Sequence, residues 1–140
     1  MKAPLSLIIH NASDALCAAQ ASDKAQFPIE LFSARGAAKS LGPEVFIGII
    51  EAAKRAYPCA HITGILDCGQ DAGTAMTALR RGAKEISVDL PLATREKIED
   101  IATRSSARIR EYPKQALDLE KLRNPEQSVF SLLMELQQNE

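Results

Sequence analysis

In the stretch "ITGILDCGQDAGTAMTALRRG" (62–82), an apolar run meets a helical pattern at an acid and a thiol, Asp67 and Cys68, followed by Gly69. A thiol at the head of a helix can become a nucleophile, because the amides and dipole there lower its pKa, and an adjacent carboxylate can move protons. On that reading Asp67 and Cys68 are the candidate catalytic residues. Asp67 and Asp71 work against a thiolate by adding negative charge, and no histidine adjoins Cys68 in sequence. His10 could meet it only in space. The structural reading makes Cys68 a small buried hydrophobe at a strand end and Asp67 a cap of the turn that follows.

Two further patterns invite chemistry. Cys59, His61 and Cys68 are zinc-ligand types, but His61 begins a strand that Cys68 ends, seven residues on. At about 3.3 Å per step they stand roughly 23 Å apart and cannot share an ion. No metal site and no cofactor is expected. The loop "SARGAAKSLGPE" (33–44) places Lys39-Ser40 after a strand as a phosphate loop does, yet Ser33 and Ala38 stand where that pattern needs glycine, and Gly42-Pro43 interrupts its helix. A looser anion site remains, from Arg35, the Gly36 amide, Lys39 and Ser40.

The elements that must position these residues are short and alternating. Five apolar segments, "LSLIIH", "IELFSA", "HITGILDC", "EISVDL" and "RIRE", read as strands, and a helical pattern follows each of the first four. The first four are nearly continuous apolar runs, as parallel strands covered on both faces require, and the polar fifth reads as an edge. Asn11 or Ser13 caps a first helix reaching about Ala21. Pro43 opens a second whose face is Phe46, Ile49, Ile50, Ala53 and Tyr57. Ala72, Ala75, Met76 and Leu79 form the stripe of a third, with Gly82 behind it, and Thr94 starts a fourth on Ile98, Ile101 and Ala102. Asn124-Pro125-Glu126 then caps a broadly apolar last helix, about 125–138.

Strict alternation predicts an α/β fold: one domain over 1–140, core about 4–112, with an open, parallel, five-stranded sheet, half-barrel-like or flavodoxin-like. A closed eight-stranded barrel needs about 250 residues. In open parallel sheets ligands bind at the carboxyl ends of the strands, which selects His10-Asn11, Ser33-Ala34-Arg35-Gly36, Asp67-Cys68-Gly69 and Asp89 as one rim. His10, Ser33, Arg35, Gly36, Gly69 and Asp89 are its candidate ligand-binding residues.

Composition excludes several classes of partner. A net charge of −1 with mixed signs leaves no electrostatic footprint for nucleic acid or anionic lipid. No apolar run nears the roughly 18 residues of a membrane span, and the run Leu5–Ile9 is too short for a signal core. Three cysteines without framework spacing suit reduced thiols, so the protein reads as cytoplasmic. Exposed sheet edges favour a homodimer.

From "AHITGILDCGQDAGTAMTALRRGAKEISVDL" the chain resembles a βαβ segment of class II fructose-bisphosphate aldolases, in which a strand ending in L-D-H leads through a helix and an "AG" turn to an "IDxS" strand. The resemblance implies that Asp67 matches the acid–base aspartate, Cys68 the zinc-binding histidine and Asp89 the aspartate of the next strand. The other histidine ligands have no counterpart, so it implies shared architecture rather than shared catalysis. The "LDCG" strand end and "ALRxG" helix also look like small bacterial proteins of unassigned function. A third likeness is to STAS-type regulatory modules, with Cys68-Gly69 where their phosphorylatable serine stands. The function expected is binding of a small anionic metabolite at the strand-end rim; a protein-interaction module or an aldolase-like lyase is the alternative.

Overall fold

The computed structural model describes residues 2–139. Its elements are β1 (Leu5–Ile9), α1 (Ala12–Ala25), β2 (Ile29–Ser33), α2 (Ala37–Ser40), α3 (Pro43–Ala56), β3 (Ile62–Asp67), α4 (Ala72–Arg80), β4 (Glu85–Ser87), α5 (Leu92–Arg104), β5 (Arg108–Arg110), β6 (Leu117–Asp118), a 3-10 turn (Leu119–Lys121) and α6 (Pro125–Gln138). The six strands form one open, all-parallel sheet in the order β5-β4-β3-β2-β1-β6. The expected α/β architecture is present, with β5 at an edge as its polar sequence implied. The sixth strand is the difference. Leu117 and Asp118 pair in parallel with Leu7 and Ile8 of β1, and a two-residue strand is too short to show a periodic pattern.

The chain forms two compact units. The first comprises the chain up to Leu31, Ile49–Thr63 and everything from Gln115 onward; the second comprises Phe32–Gly48 and Gly64–Lys114.

In the first unit α1 is alanine-rich, and Ala15, Ala18, Ala19, Ala21 and Ala25 are all buried. Alanine favours helix and leaves no bulk, so α6 packs directly on this helix through Val129 and Leu133. Its start is doubly tied. The Asn11 side chain accepts from the Asp14 amide at 2.8 Å, and Asp14 in turn accepts from the His10 amide at 2.9 Å. The helix runs on past Ala21 to Ala25, because Ser22 turns its hydroxyl to the Phe27 carbonyl at 2.7 Å and Gln26 closes the end in the left-handed conformation, φ 49°. Ser22 also accepts from the His61 amide at 3.2 Å, tying the helix end to the approach to β3.

In the second unit α4 and α5 pack on each other. The buried face of α4 is Ala75, Ala78 and Leu79; Met76, expected in that stripe, is exposed. Pro91 rather than Thr94 precedes the first turn of α5, whose buried residues are Ile98 and Ala102. β4 pairs with β5 through Ile86 and Ile109, and Glu85 receives both Arg108 and Arg110. No helix among the described residues is long and apolar enough to cross a membrane.

The α1–α6 contact yields a test. Leu133 is fully buried, so Leu133→Ala should cost about 2–5 kcal/mol in urea denaturation. A loss below about 1 kcal/mol would mean that α6 is not a packed part of the fold.

Candidate functional site

The ends of β2, β3 and β4 converge on one buried carboxylate. Asp67, the last residue of β3, is 3% exposed. Its Oδ1 accepts from the Ser87 hydroxyl at the end of β4 at 2.7 Å, and its Oδ2 accepts from the Gly36 amide at 2.7 Å. The Asp67 amide donates to Ser33 Oγ at the end of β2 at 2.9 Å, and the Ser33 hydroxyl donates to the Ala34 carbonyl at 2.9 Å. The structural reading makes Asp67 the cap of the turn that follows it. Instead it fastens the loop after β2, and the cap of α4 is Asp71, which accepts from the Gly73 and Thr74 amides. The Thr74 amide contributes most to holding the Asp71 carboxyl below its ordinary range.

The fastened loop carries Gly36 at φ 73°, a left-handed conformation suited to glycine, which aims its N–H at Asp67. The next residue begins the four-residue helix α2, so Lys39 does not stand in a phosphate loop. The looser anion site is also dispersed. The Gly36 amide is taken by Asp67, Ser40 Oγ turns to the Gly36 carbonyl at 3.5 Å, and Lys39 lines a shallow cleft with Pro43, Asp71 and Thr74. Arg35 remains. Its guanidinium lies 4.3 Å over the Tyr112 ring, which meets Phe32 in a T-shaped contact and whose hydroxyl donates to the Ser33 carbonyl at 2.8 Å.

Cys68 follows Asp67 into the same layer. It is 3% exposed, its amide donates to the Ser87 carbonyl at 2.8 Å, and its sulfur is 3.9 Å from the Leu66 carbonyl. Burial, with the Asp67 charge second, pushes its thiol up to about 12, the opposite of what a nucleophile needs. Gly69, φ 62°, accepts from the Asp89 amide at 2.8 Å, so the β3–β4 ladder continues one step past the strands. Asp89 itself is exposed and accepts from Gln70 Nε2 at 3.2 Å.

Ser33, Arg35, Gly36, Asp67, Cys68, Gly69 and Asp89 thus belong to one unit, joined by Ser87 and Tyr112, which sequence reasoning passed over. Ser87 left a trace, a small polar residue closing the apolar run "EIS"; Tyr112 lay in an irregular stretch and left none. His10 belongs to the other unit, where Asp118 and Glu120 are its partners. No protein-family model matches the chain, and no curated protein matches its sequence.

Two measurements probe this layer. In Asp67→Asn the amide oxygen can still accept from Gly36 while its NH2 donates to a rotated Ser87 hydroxyl, so the cost should stay near 1 kcal/mol. Asp67→Ala strands both donors in the interior and should cost about 3 kcal/mol or more by denaturant titration. Equal losses in the two variants would mean that the charge, not the pair of hydrogen bonds, is what matters.

The Cys68 thiol stays protonated in the folded chain, while the unfolded chain releases its proton near the ordinary 9.0. Its contribution is therefore fully present below pH 9 and is lost as pH rises toward about 12. Cys68→Ala should lose less stability than wild type between pH 8 and about 10.5, with denaturation midpoints as the readout. Parallel pH curves for the two proteins would contradict a buried neutral thiol.

Proposed function

We propose that the carboxyl-end rim of β2, β3 and β4 holds a small anionic ligand, with Arg35 as its ionic contact. The observation that carries this reading is the placement of Arg35. It is exposed, it takes part in none of the ion pairs among the described residues, and it is stacked at 4.3 Å on a ring that is itself hydrogen-bonded in place. A guanidinium held over a ring keeps N–H donors for a carboxylate or phosphate. Holding the side chain beforehand reduces the entropy lost on binding.

Asp67 then acts as a positioning residue. Its bond to the Gly36 amide fixes the loop at the residue next to Arg35. A lyase chemistry of the aldolase kind would ask Asp67 to move a proton, but its carboxylate is 3% exposed and turned to the Gly36 amide and the Ser87 hydroxyl, whereas a general base needs a lone pair within reach of its substrate. Ligand binding is the reading that asks nothing further of that carboxylate.

Titration of inorganic phosphate, followed by backbone amide shifts, tests the proposal. Saturable shifts are expected around Arg35 and Tyr112, with binding at least about tenfold weaker in Arg35→Ala, equivalent to about 1.4 kcal/mol. Tyr112→Leu should weaken binding without abolishing it. Equal affinity in wild type and Arg35→Ala, or no saturable shift with either phosphate or citrate, would remove the support for this reading.

A further inference from the structure

The first unit carries a cluster that lies outside the rim just described. His10 follows the last residue of β1, Asp118 closes β6, and Glu120 sits in the 3-10 turn directly after it. His10 Nε2 is 2.8 Å from Asp118 Oδ1 and 3.4 Å from Glu120 Oε2, and the ligating atoms of all three lie within 4.8 Å of one another. Parallel pairing of Ile8 with Asp118 is what brings residues so distant in sequence together, at strand carboxyl ends where parallel sheets bind ligands.

We infer that His10, Asp118 and Glu120 form a binding site for a first-row divalent cation, Zn2+ above all. Charge is the first argument. Two carboxylates face one imidazole nitrogen, so the cluster has an excess of negative charge whichever tautomer or charge state the imidazole takes. A divalent cation neutralises both carboxylates and converts the imidazole into a neutral nitrogen ligand. Donor chemistry is the second argument. One imidazole with two carboxylates suits Zn2+ or Mn2+, whereas Ca2+ and Mg2+ take all-oxygen sets.

Geometry is the third. Ligands at about 2.1 Å around a tetrahedral ion stand about 3.4 Å apart. The His10–Glu120 pair already has that separation, and the His10–Asp118 pair reaches it by opening its 2.8 Å hydrogen bond slightly.

The ligands are also anchored. The His10 amide donates to Asp14 Oδ2 at 2.9 Å, and Asp118 Oδ1 accepts from the Glu120 amide at 3.0 Å, which locks the two acids of the turn to each other. His10 and Asp118 are largely covered while the Glu120 side chain is 70% exposed, so the ion enters from the Glu120 side. Three protein ligands leave a fourth position, which water or the oxygen of an anionic ligand would fill.

Calorimetric titration of the full chain with ZnCl2 should show one equivalent bound, and MnCl2 should bind more weakly at the same stoichiometry, following the usual order of divalent affinities. The His10 ring resonances should shift at saturation with Zn2+. His10→Ala and Asp118→Asn should each lower Zn2+ affinity at least about tenfold, the asparagine keeping an acceptor for the Glu120 amide. Glu120→Gln changes an exposed side chain, so it folds as wild type does and should also weaken binding. Cys59 is exposed beside His61 and is the obvious competing zinc ligand; Cys59→Ser should leave the one-equivalent binding intact. Absence of Zn2+ binding in wild type, unchanged affinity in Glu120→Gln with unshifted His10 resonances, or loss of binding in Cys59→Ser would each overturn the assignment.

Discussion

A buried carboxylate can be tolerated in a small protein only if each of its oxygens finds a donor, and Asp67 meets that demand by drawing on two neighbouring segments. One oxygen takes the Ser87 hydroxyl from β4 and the other takes the Gly36 amide from the loop after β2, while the Asp67 amide is held by Ser33. Desolvating the charge makes these bonds obligatory, so the ends of three strands and one loop are positioned together. Arg35, Cys68 and Gly69 take their places from that constraint. The polar residues at these strand ends are therefore first a fastening and only secondarily a surface offered to a ligand.

The same constraint separates the roles of adjacent residues. Asp67 and Cys68 look alike as candidates in sequence, yet one is a buried carboxylate tied to Gly36 and Ser87 and the other is a thiol raised by burial. Neither offers the accessible lone pair or the easily lost proton that general-base or nucleophilic catalysis requires. Arg35, two residues beyond Ser33, has what they lack: exposure, a fixed aromatic support and donors still available. In the other unit His10 stands between two carboxylates, 2.8 Å from Asp118 and 3.4 Å from Glu120.

Much of the architecture could be read from local patterning. The runs that became β1 to β4 are continuous and apolar because parallel strands bury both faces, and α3 and α6 begin where Pro43 and Asn124-Pro125 place them. The places that misled were short or polar. β6 has two residues, α2 has four, and α1 outlasts its apolar pattern because Ser22 satisfies its hydroxyl through the Phe27 carbonyl. Met76 lies at a helical spacing that fits the stripe of α4 but faces outward, since Ala78 takes the buried position.

Sequence alone determined the class of fold and the strand ends at His10, Ser33 and Asp67, because hydrophobic periodicity and capping are local and the carboxyl ends of parallel strands follow from them. Only the tertiary structure decided what those residues do. Asp67 is paired with Gly36 and Ser87, Arg35 with Tyr112, and His10 with Asp118 across a sequence separation of 108 residues. Strand order and register set those distances, and neither is written in any one segment. A side chain's protonation and availability depend on the partners and burial that folding brings to it, so the chemistry of this chain becomes legible only once its strands are side by side.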